Sequence, residues 1–337
     1  MKASFLFLYF FMLHCVRLVF GLVILALLPL ATPVMAETRF PSKPISLVVP
    51  YPPGGTNDNV ARIISKRLAE KAGQSVIVSY KGGAGGTIGA AYVASSEADG
   101  YTLLNASIGN LAIAPQLIKV KFDPFVDLVP IAYVGNARTT VAVNPSLPVQ
   151  TLQQLIAYAR ANPGKLTYGT SGNGTPGHMA GEAFKLLAGV DIRHVPYRGS
   201  AAAVSDVVAG HVDIAFDPLS TTFVKTGKLR ALAFFGGPTA PADLVNVPSM
   251  AQAGLKGWED GLAGSFFIVA PGHTPPEVLS KLRAWIVEVL REPDVVAALA
   301  LVQVVAEPLS LEQTVRQIRA VHNVAQRVIQ TSNLQAN

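Results

Sequence analysis

The stretch ISLVVPYPPGGTNDNVARIISKRLAEK, residues 45–71, changes its hydrophobic period once and abruptly. Ile45 to Val49 is a continuous apolar run bounded by a proline, which predicts a buried strand. Val60, Ile63, Ile64 and Leu68 then recur at helical spacing and predict a helix over 60–71. Between them, Pro50, Pro52 and Pro53 end the strand, Gly54 and Gly55 bare the backbone, and Thr56, Asn57 and Asp58 offer polar groups. Strand, glycine turn and helix form the opening unit of a parallel α/β sheet. The turn then lies at the carboxyl end of its strand, where open sheets hold ligands.

The same unit recurs outward from this stretch. A strand over 75–80 runs into Lys81-Gly82-Gly83-Ala84-Gly85-Gly86-Thr87 and a helix over 88–96. Strands at 103–106, 129–134 and 140–143 follow, then a helix over 152–161 started by Thr151 and stopped by Asn162-Pro163-Gly164. A strand over 166–169 enters the loop TSGNGTPG, 170–177, and a helix over 178–187. A strand over 192–197 enters Arg198-Gly199-Ser200 and a helix over 201–209, with a further strand over 212–216. The last strands fall at 229–235 and 266–270. The tail is helical, with capping-box sequences at Thr274 to Glu277 and at Ser310 to Gln313. This alternation predicts an α/β chain of parallel sheets flanked by helices, and the number of strands favours two lobes over one sheet.

Half of the 337 residues are hydrophobic and 14% are charged, which suits a well-buried core. The first 36 residues carry only Lys2 and Arg17 as charges and are apolar from Leu18 to Ala36, the pattern of an export signal. Val34 and Ala36 place cleavage after Ala36. Pro29 and Pro33 argue against the alternative of an uncleaved membrane anchor, and Met12 is an alternative start. Cys15, the one cysteine, lies in this segment, so the mature chain is expected to have no disulfide, thiol nucleophile or cysteine-bound metal. Loss of Lys2 and Arg17 reduces the formal charge from +6 to +4, compatible with anionic small ligands. No basic run interleaved with aromatics points to nucleic acid.

The glycine-rich junctions can converge on one cleft, where bared amides, helix N-termini and Ser/Thr hydroxyls suit a carboxylate held by neutral donors. Each junction taken singly also reads as a tight turn with a helix cap. Two enzymatic alternatives stand beside this. Gly172 to Gly177 spells GxGxxG, the mark of a dinucleotide-binding enzyme, although Asp191 precedes the next strand instead of ending it. Ser171 with His178 or His194 could serve an exported serine hydrolase, although Gly169 to Asn173 misses the last glycine of a nucleophile elbow. The histidines lack metal-ligand spacing, so neither a metal nor a cofactor is expected. His178 equally closes a helix terminus, and Asp58 equally answers a helix dipole.

The chain resembles the Bug-type periplasmic solute-binding proteins, the extracytoplasmic receptors of tripartite tricarboxylate transporters. The resemblance rests on VVPYPPGGTNDNVAR at 48–62, GAGGTIGA at 83–90, ADGYTLL at 98–104 and YGTSGNGTPGHMAGEAF at 168–184. HVPYRGSAAAVSDVVAGHVDIAFD at 194–217 and GKLRALA at 227–233 complete the series. It implies a two-lobed flytrap, both lobes α/β, with lobe one at 37–137 plus 265–337 and lobe two at 138–264. It implies a monomeric, non-enzymatic receptor that captures a small carboxylate (a di- or tricarboxylate, an amino acid or a related organic acid) for the transporter's membrane components; a sensor partner would share every feature. The implied contacts are Tyr51, Gly54, Gly55, Thr56, Asp58, Gly86 and Thr87 from lobe one. Lobe two supplies Ser171, Gly174, Thr175, His178, Tyr197, Arg198, Gly199, Ala202 and Asp217. The chain departs from the pattern at Gly83, where proline is common, at Arg198, where lysine is more usual, and in a short segment after Asp217.

Overall fold

Strand β1 (Ile45–Val49) pairs in parallel with β2 (Val76–Tyr80) on one side and β3 (Thr102–Ser107) on the other. The computed structural model describes residues 40–240, 244–332 and 334, with Met12; the cleavage site after Ala36 and nearly all of the export signal lie outside them. The first sheet is completed by β4 (Leu128–Ala137), β10 (Ser265–Pro271) and the short β11 (Val304–Ala306), in the order β11-β4-β10-β3-β1-β2. One residue, Arg138, separates β4 from β5 (Thr139–Val143), which lies in a second sheet. That sheet adds β6 (Thr167–Thr170), β7 (Arg193–Pro196), β8 (Ile214–Asp217) and β9 (Arg230–Phe235), in the order β7-β6-β8-β5-β9.

The sheets are mixed where the sequence pattern predicts parallel ones. β10 runs antiparallel to β3 and β4, and β5 runs antiparallel to β8 and β9. The reason is the route of the chain. Apart from the short β11, which follows a helix but runs antiparallel to β4, strands that follow a helix run toward the gap between the sheets, whereas β5 and β10 arrive from the other sheet at that gap and run away from it.

Helix α1 (Thr56–Ala72) starts four residues before the predicted span because Gly55 serves as its N-cap. Helix α2 (Thr87–Ala94) and a π turn, Gly109–Ile113, leading into α3 (Ala114–Leu117) complete the loop side of the first sheet. Around the second sheet lie α4 (Leu152–Ala161), α5 (Pro176–Ala188), α6 (Ser200–Ala209) and the short α7 (Ser220–Lys225). Helices α8 (Pro276–Val289), α9 (Pro293–Leu301) and α10 (Leu311–Thr331) return to the first sheet.

Each sheet has its own apolar core, one around Ile45, Leu47, Ile64 and Ile286, the other around Tyr168, Phe184, Phe216 and Phe235. A further cluster joins them: Met179 and Ala183 of α5 share it with Ile113, Ile318 and Val321. Helix α10 supplies this contact because its buried positions, Thr314, Ile318, Val321 and Ala325, fall on one stripe. Full burial of an Ile or Val there stabilises by roughly 1.5–3 kcal/mol.

Of the two capping boxes, one forms. The Ser310 hydroxyl accepts the Gln313 amide at 3.1 Å, and the Gln313 side chain accepts the Ser310 amide at 2.8 Å. The box at Thr274 does not form. Pro276 takes the first helical position, so Pro275 becomes the N-cap and the motif is out of register by one residue. Thr274 instead donates its hydroxyl to the Pro271 carbonyl at 2.8 Å. Ser310→Ala should lower global stability by about 1 kcal/mol; an unchanged urea midpoint would remove the box from this account.

Candidate functional site

The loop after β1 is braced from below. Asp58 is buried; its Oδ2 accepts the Gly54 amide at 2.9 Å, and its Oδ1 accepts Arg62 Nε at 2.9 Å and the Tyr80 hydroxyl at 2.8 Å. With Gly54 thus engaged, helix α1 opens at Gly55 without any side-chain cap, which leaves its first amides facing outward with the helix dipole behind them. Tyr51 ties this loop to its neighbours: its hydroxyl donates to the Gly85 carbonyl at 3.0 Å and meets Ser107 Oγ at 2.9 Å. Burial pushes the Tyr51 phenol up to about 12, so it stays a neutral donor.

In the second lobe, the loop after β6 is held by its own polar groups. Thr175 Oγ1 donates to the Gly172 carbonyl at 2.7 Å, and the Gly174 amide donates to His178 Nδ1 at 3.2 Å. His178 stacks on His194 with ring centroids 4.1 Å apart, and His194 Nε2 meets Thr170 Oγ1 at 2.6 Å. Burial drives the His178 imidazole down to about 4. It drives His194 down to about 3, with His178 and Lys185 adding to the effect. Both rings are therefore neutral, and His178 can accept the Gly174 amide only in that form.

The lobes approach backbone to backbone. A methyl group on Gly85 would lie 2.3 Å from the Asn173 carbonyl oxygen, and one on Gly174 would lie 2.7 Å from Ala114 Cα. Gly55 faces Ser200 at an ordinary 3.5 Å. Between these contacts lie two cavities that share Tyr51, Pro52 and Ser171 as a neck. The inner chamber, about 60 Å³, is walled by both lobes. The outer cleft, about 790 Å³, runs among the glycine loops.

The structure sorts the sequence-derived candidates by these two spaces. Tyr51, Gly55, Thr56, Ser171 and Asp217 line the inner chamber. Tyr51 and Ser171 again, with Gly86, Tyr197, Arg198 and Gly199, line the outer cleft. Gly54, Asp58, Thr87, Gly174, Thr175, His178 and Ala202 line neither. Asp58, Thr175 and His178 support loops; Thr87 donates to the Ala84 carbonyl at 2.8 Å, and Ala202 is exposed on α6. The sequence reading missed Asn57, Ser107, Thr139, Ser200, Phe216, Phe235, Leu262, Gly264 and Phe266. For Asn57 the signal was present, two residues beyond Gly55 of the glycine turn. Thr139 and Gly264 sit where the chain leaves one lobe for the other, and Phe235 pairs with Thr139 across β5 and β9, which only the crossing strands reveal.

Asn57 and Thr139 line the inner chamber, and each carries a fully buried side-chain atom, Asn57 Nδ2 and Thr139 Oγ1, with no hydrogen-bond partner among the described residues. Asp217, at the end of β8, accepts the Ser200 hydroxyl at 2.7 Å and the Leu219 amide at 2.9 Å. Burial raises its pKa, and these two bonds oppose the rise. The described hydrogen bonds of His178 and His194 run to Gly174 and Thr170, so neither ring is paired with Ser171 as a hydrolase requires. The glycines of the GxGxxG sequence serve packing: Gly174 lies against Ala114 and Gly177 against the Phe216 carbonyl. Among the described residues, no group of three or more His, Cys, Asp or Glu side chains is placed to hold a metal.

Residues 60–334 match the family described as Tripartite tricarboxylate transporter family receptor. BugT of Bordetella pertussis is 37% identical over 276 residues, covering 80% of this chain and 83% of that protein. A structure described as a periplasmic transporter is 36% identical, with a TM-score of 0.83 over 88% of this chain and 100% of that one. An R. palustris protein solved with adipate is 33% identical, with a TM-score of 0.84 over the same shares.

The buried imidazoles make stability pH-dependent. Their folded pKa values lie below the ordinary 6.5, so their contribution is full above pH 6.5 and is lost as pH falls toward 4, where only the unfolded chain takes up protons. His178→Asn, which can keep an acceptor for the Gly174 amide, should flatten the fall in thermal midpoint between pH 7 and pH 4.5. Parallel pH profiles for variant and wild type would show that the His178 ring does not titrate in this way.

Proposed function

The chain belongs to the tripartite tricarboxylate transporter receptor family, and on that premise we propose that it is a periplasmic receptor that captures a small carboxylate and delivers it to the transporter's membrane components. The observation that supports this most directly is the inner chamber, which residues of both lobes line with neutral polar groups, among them Asn57 and Thr139, whose Nδ2 and Oγ1 have no partner among the described residues. An unpaired buried donor costs about 1–3 kcal/mol, and a ligand carboxylate would recover it. The amides at the start of α1 add an uncapped helix N-terminus to the same wall. Carboxylate recognition also fits the adipate held by the R. palustris relative.

In this reading the receptor acts as a monomer, exported by a signal cleaved after Ala36. Lobe one comprises 37–137 and 265–337 and lobe two 138–264, and the ligand is met by Tyr51, Gly55, Thr56, Ser171 and Asp217. Closure is favoured because donors of both lobes reach one ligand only when the gap is shut.

Native mass spectrometry of the exported protein, with thermal-shift screening of organic acids, tests the proposal. The expected result is a released carboxylate and a raised midpoint with acids of that class; no shift with any carboxylate would defeat it. Closure has its own test. Gly85→Ala should leave the fold intact but hold the lobes apart, so that ligand no longer reduces the radius of gyration in solution scattering. Gly55→Ala, with ordinary space for a methyl, should still close. Equal compaction of both variants would mean that the Gly85 contact does not govern closure.

A further inference from the structure

Of the asparagines in this chain, Asn173 alone is followed by glycine. An asparagine loses its amide most readily in that setting, because glycine has no side chain to keep its backbone nitrogen away from the neighbouring side-chain carbon. The pair stands on the loop after β6, where the lobes meet. Asn173 lines the outer cleft, half-buried, and among the described residues no hydrogen bond holds its side-chain amide. One reacting group is therefore free, and the other is tied down. Gly174 is buried, its amide donates to His178 Nδ1 at 3.2 Å, and a methyl on it would lie 2.7 Å from Ala114 Cα of the facing lobe. The Asn173 carbonyl oxygen is clamped in the same way, 2.3 Å from where a methyl on Gly85 would stand.

We propose that Asn173 and Gly174 form a self-modification site gated by the lobes: the pair is held unreactive while the lobes meet and deamidates when they part. The gate rests on the receptor reading above only in that the lobes open and close. In the reaction the Gly174 nitrogen attacks Asn173 Cγ; the N–Cγ bond forms, the Cγ–Nδ2 bond breaks, and Nδ2 leaves as ammonia with the proton that Gly174 gives up. Water, the one co-reactant, then opens the five-membered imide. Addition at Cγ breaks the new bond and leaves an aspartyl residue. Addition at the Asn173 main-chain carbonyl breaks the original peptide bond and leaves an isoaspartyl linkage, whose main chain runs on through Cβ and Cγ. Ring closure requires the Gly174 nitrogen to leave His178 and the peptide between the two residues to rotate, and the facing lobe clamps both of its ends. Intramolecular attack is fast only from a near-attack geometry, so the clamp sets the rate. The isoaspartyl product has one more main-chain carbon and a new carboxylate at a contact with no room for a methyl. It therefore opposes the approach that had protected the amide.

Peptide mapping by mass spectrometry of the mature protein, incubated at mildly alkaline pH, reads this gate. No ligand enters the measurement, so the receptor reading can fail in its own screen without changing these rates. Conversion at residue 173 should be slow in the folded wild type and at least about tenfold faster in urea, where the clamp is gone. Gly85→Ala, which holds the loops apart, and His178→Ala, which frees the Gly174 amide, should each speed it severalfold without urea. The isoaspartyl fraction, separated by anion exchange on its added charge, should have a larger radius of gyration in solution scattering than unmodified protein. A residue 173 that stays intact in urea would overturn the site. A folded rate equal to the rate in urea, or unmoved by either variant, would overturn the gate, and equal radii of gyration would overturn the effect on closure.

Discussion

Gly85 and Asn173 approach so closely across the gap that no side chain fits between the two backbones. Gly85 has φ of +62° and Gly174 has +72°, left-handed conformations that glycine alone adopts without strain. The same residues that turn the chain therefore also let the lobes meet. Had either carried a methyl, the two loops would be held farther apart. The rest of the site depends on that approach: Asn57 of one lobe and Thr139 and Asp217 of the other line a single space only while the two loops meet.

Enclosure changes the value of each group. A buried neutral donor without a partner is costly, and a ligand that supplies the partner removes that cost. Binding and closure are then linked through the same few atoms. The apolar cluster of α5 and α10, with Met179, Ile318 and Val321, supplies an opposing contribution that does not involve the ligand at all. The balance between the two sets how often the empty receptor shuts.

The parts of this structure set by local sequence were legible. The strand of Ile45 to Val49, the glycine turns and the helices follow from periodicity and punctuation within a few residues, and the Ser310 box follows from a four-residue pattern. The parts set by topology were hidden. Thr139 and Phe266 reach the chamber because β5 and β10 enter their sheets from the opposite lobe, and no local pattern signals that direction. Phe216 and Phe235 end predicted strands, and both belong to the core of the second lobe, but they also form a chamber wall. His178 was ambiguous between ligand and helix terminus because a polar residue after a glycine loop fits either role. The stacking on His194 that decides its environment is a contact between residues 178 and 194 of different elements.

The two acids near the site show why residue type alone does not assign a role. Asp58, in the first turn of α1, and Asp217, the last residue of β8, are both buried. Asp58 has Arg62 on one oxygen and the Gly54 amide on the other, so its charge is matched and its geometry is used to hold the loop. Asp217 has only neutral donors, and it lies on the wall of the chamber. Neutral donors stabilise a carboxylate without cancelling its field. An anion arriving in the chamber therefore meets Asp217 on its wall, whereas Asp58 reaches it only through the position of the amides at the start of α1.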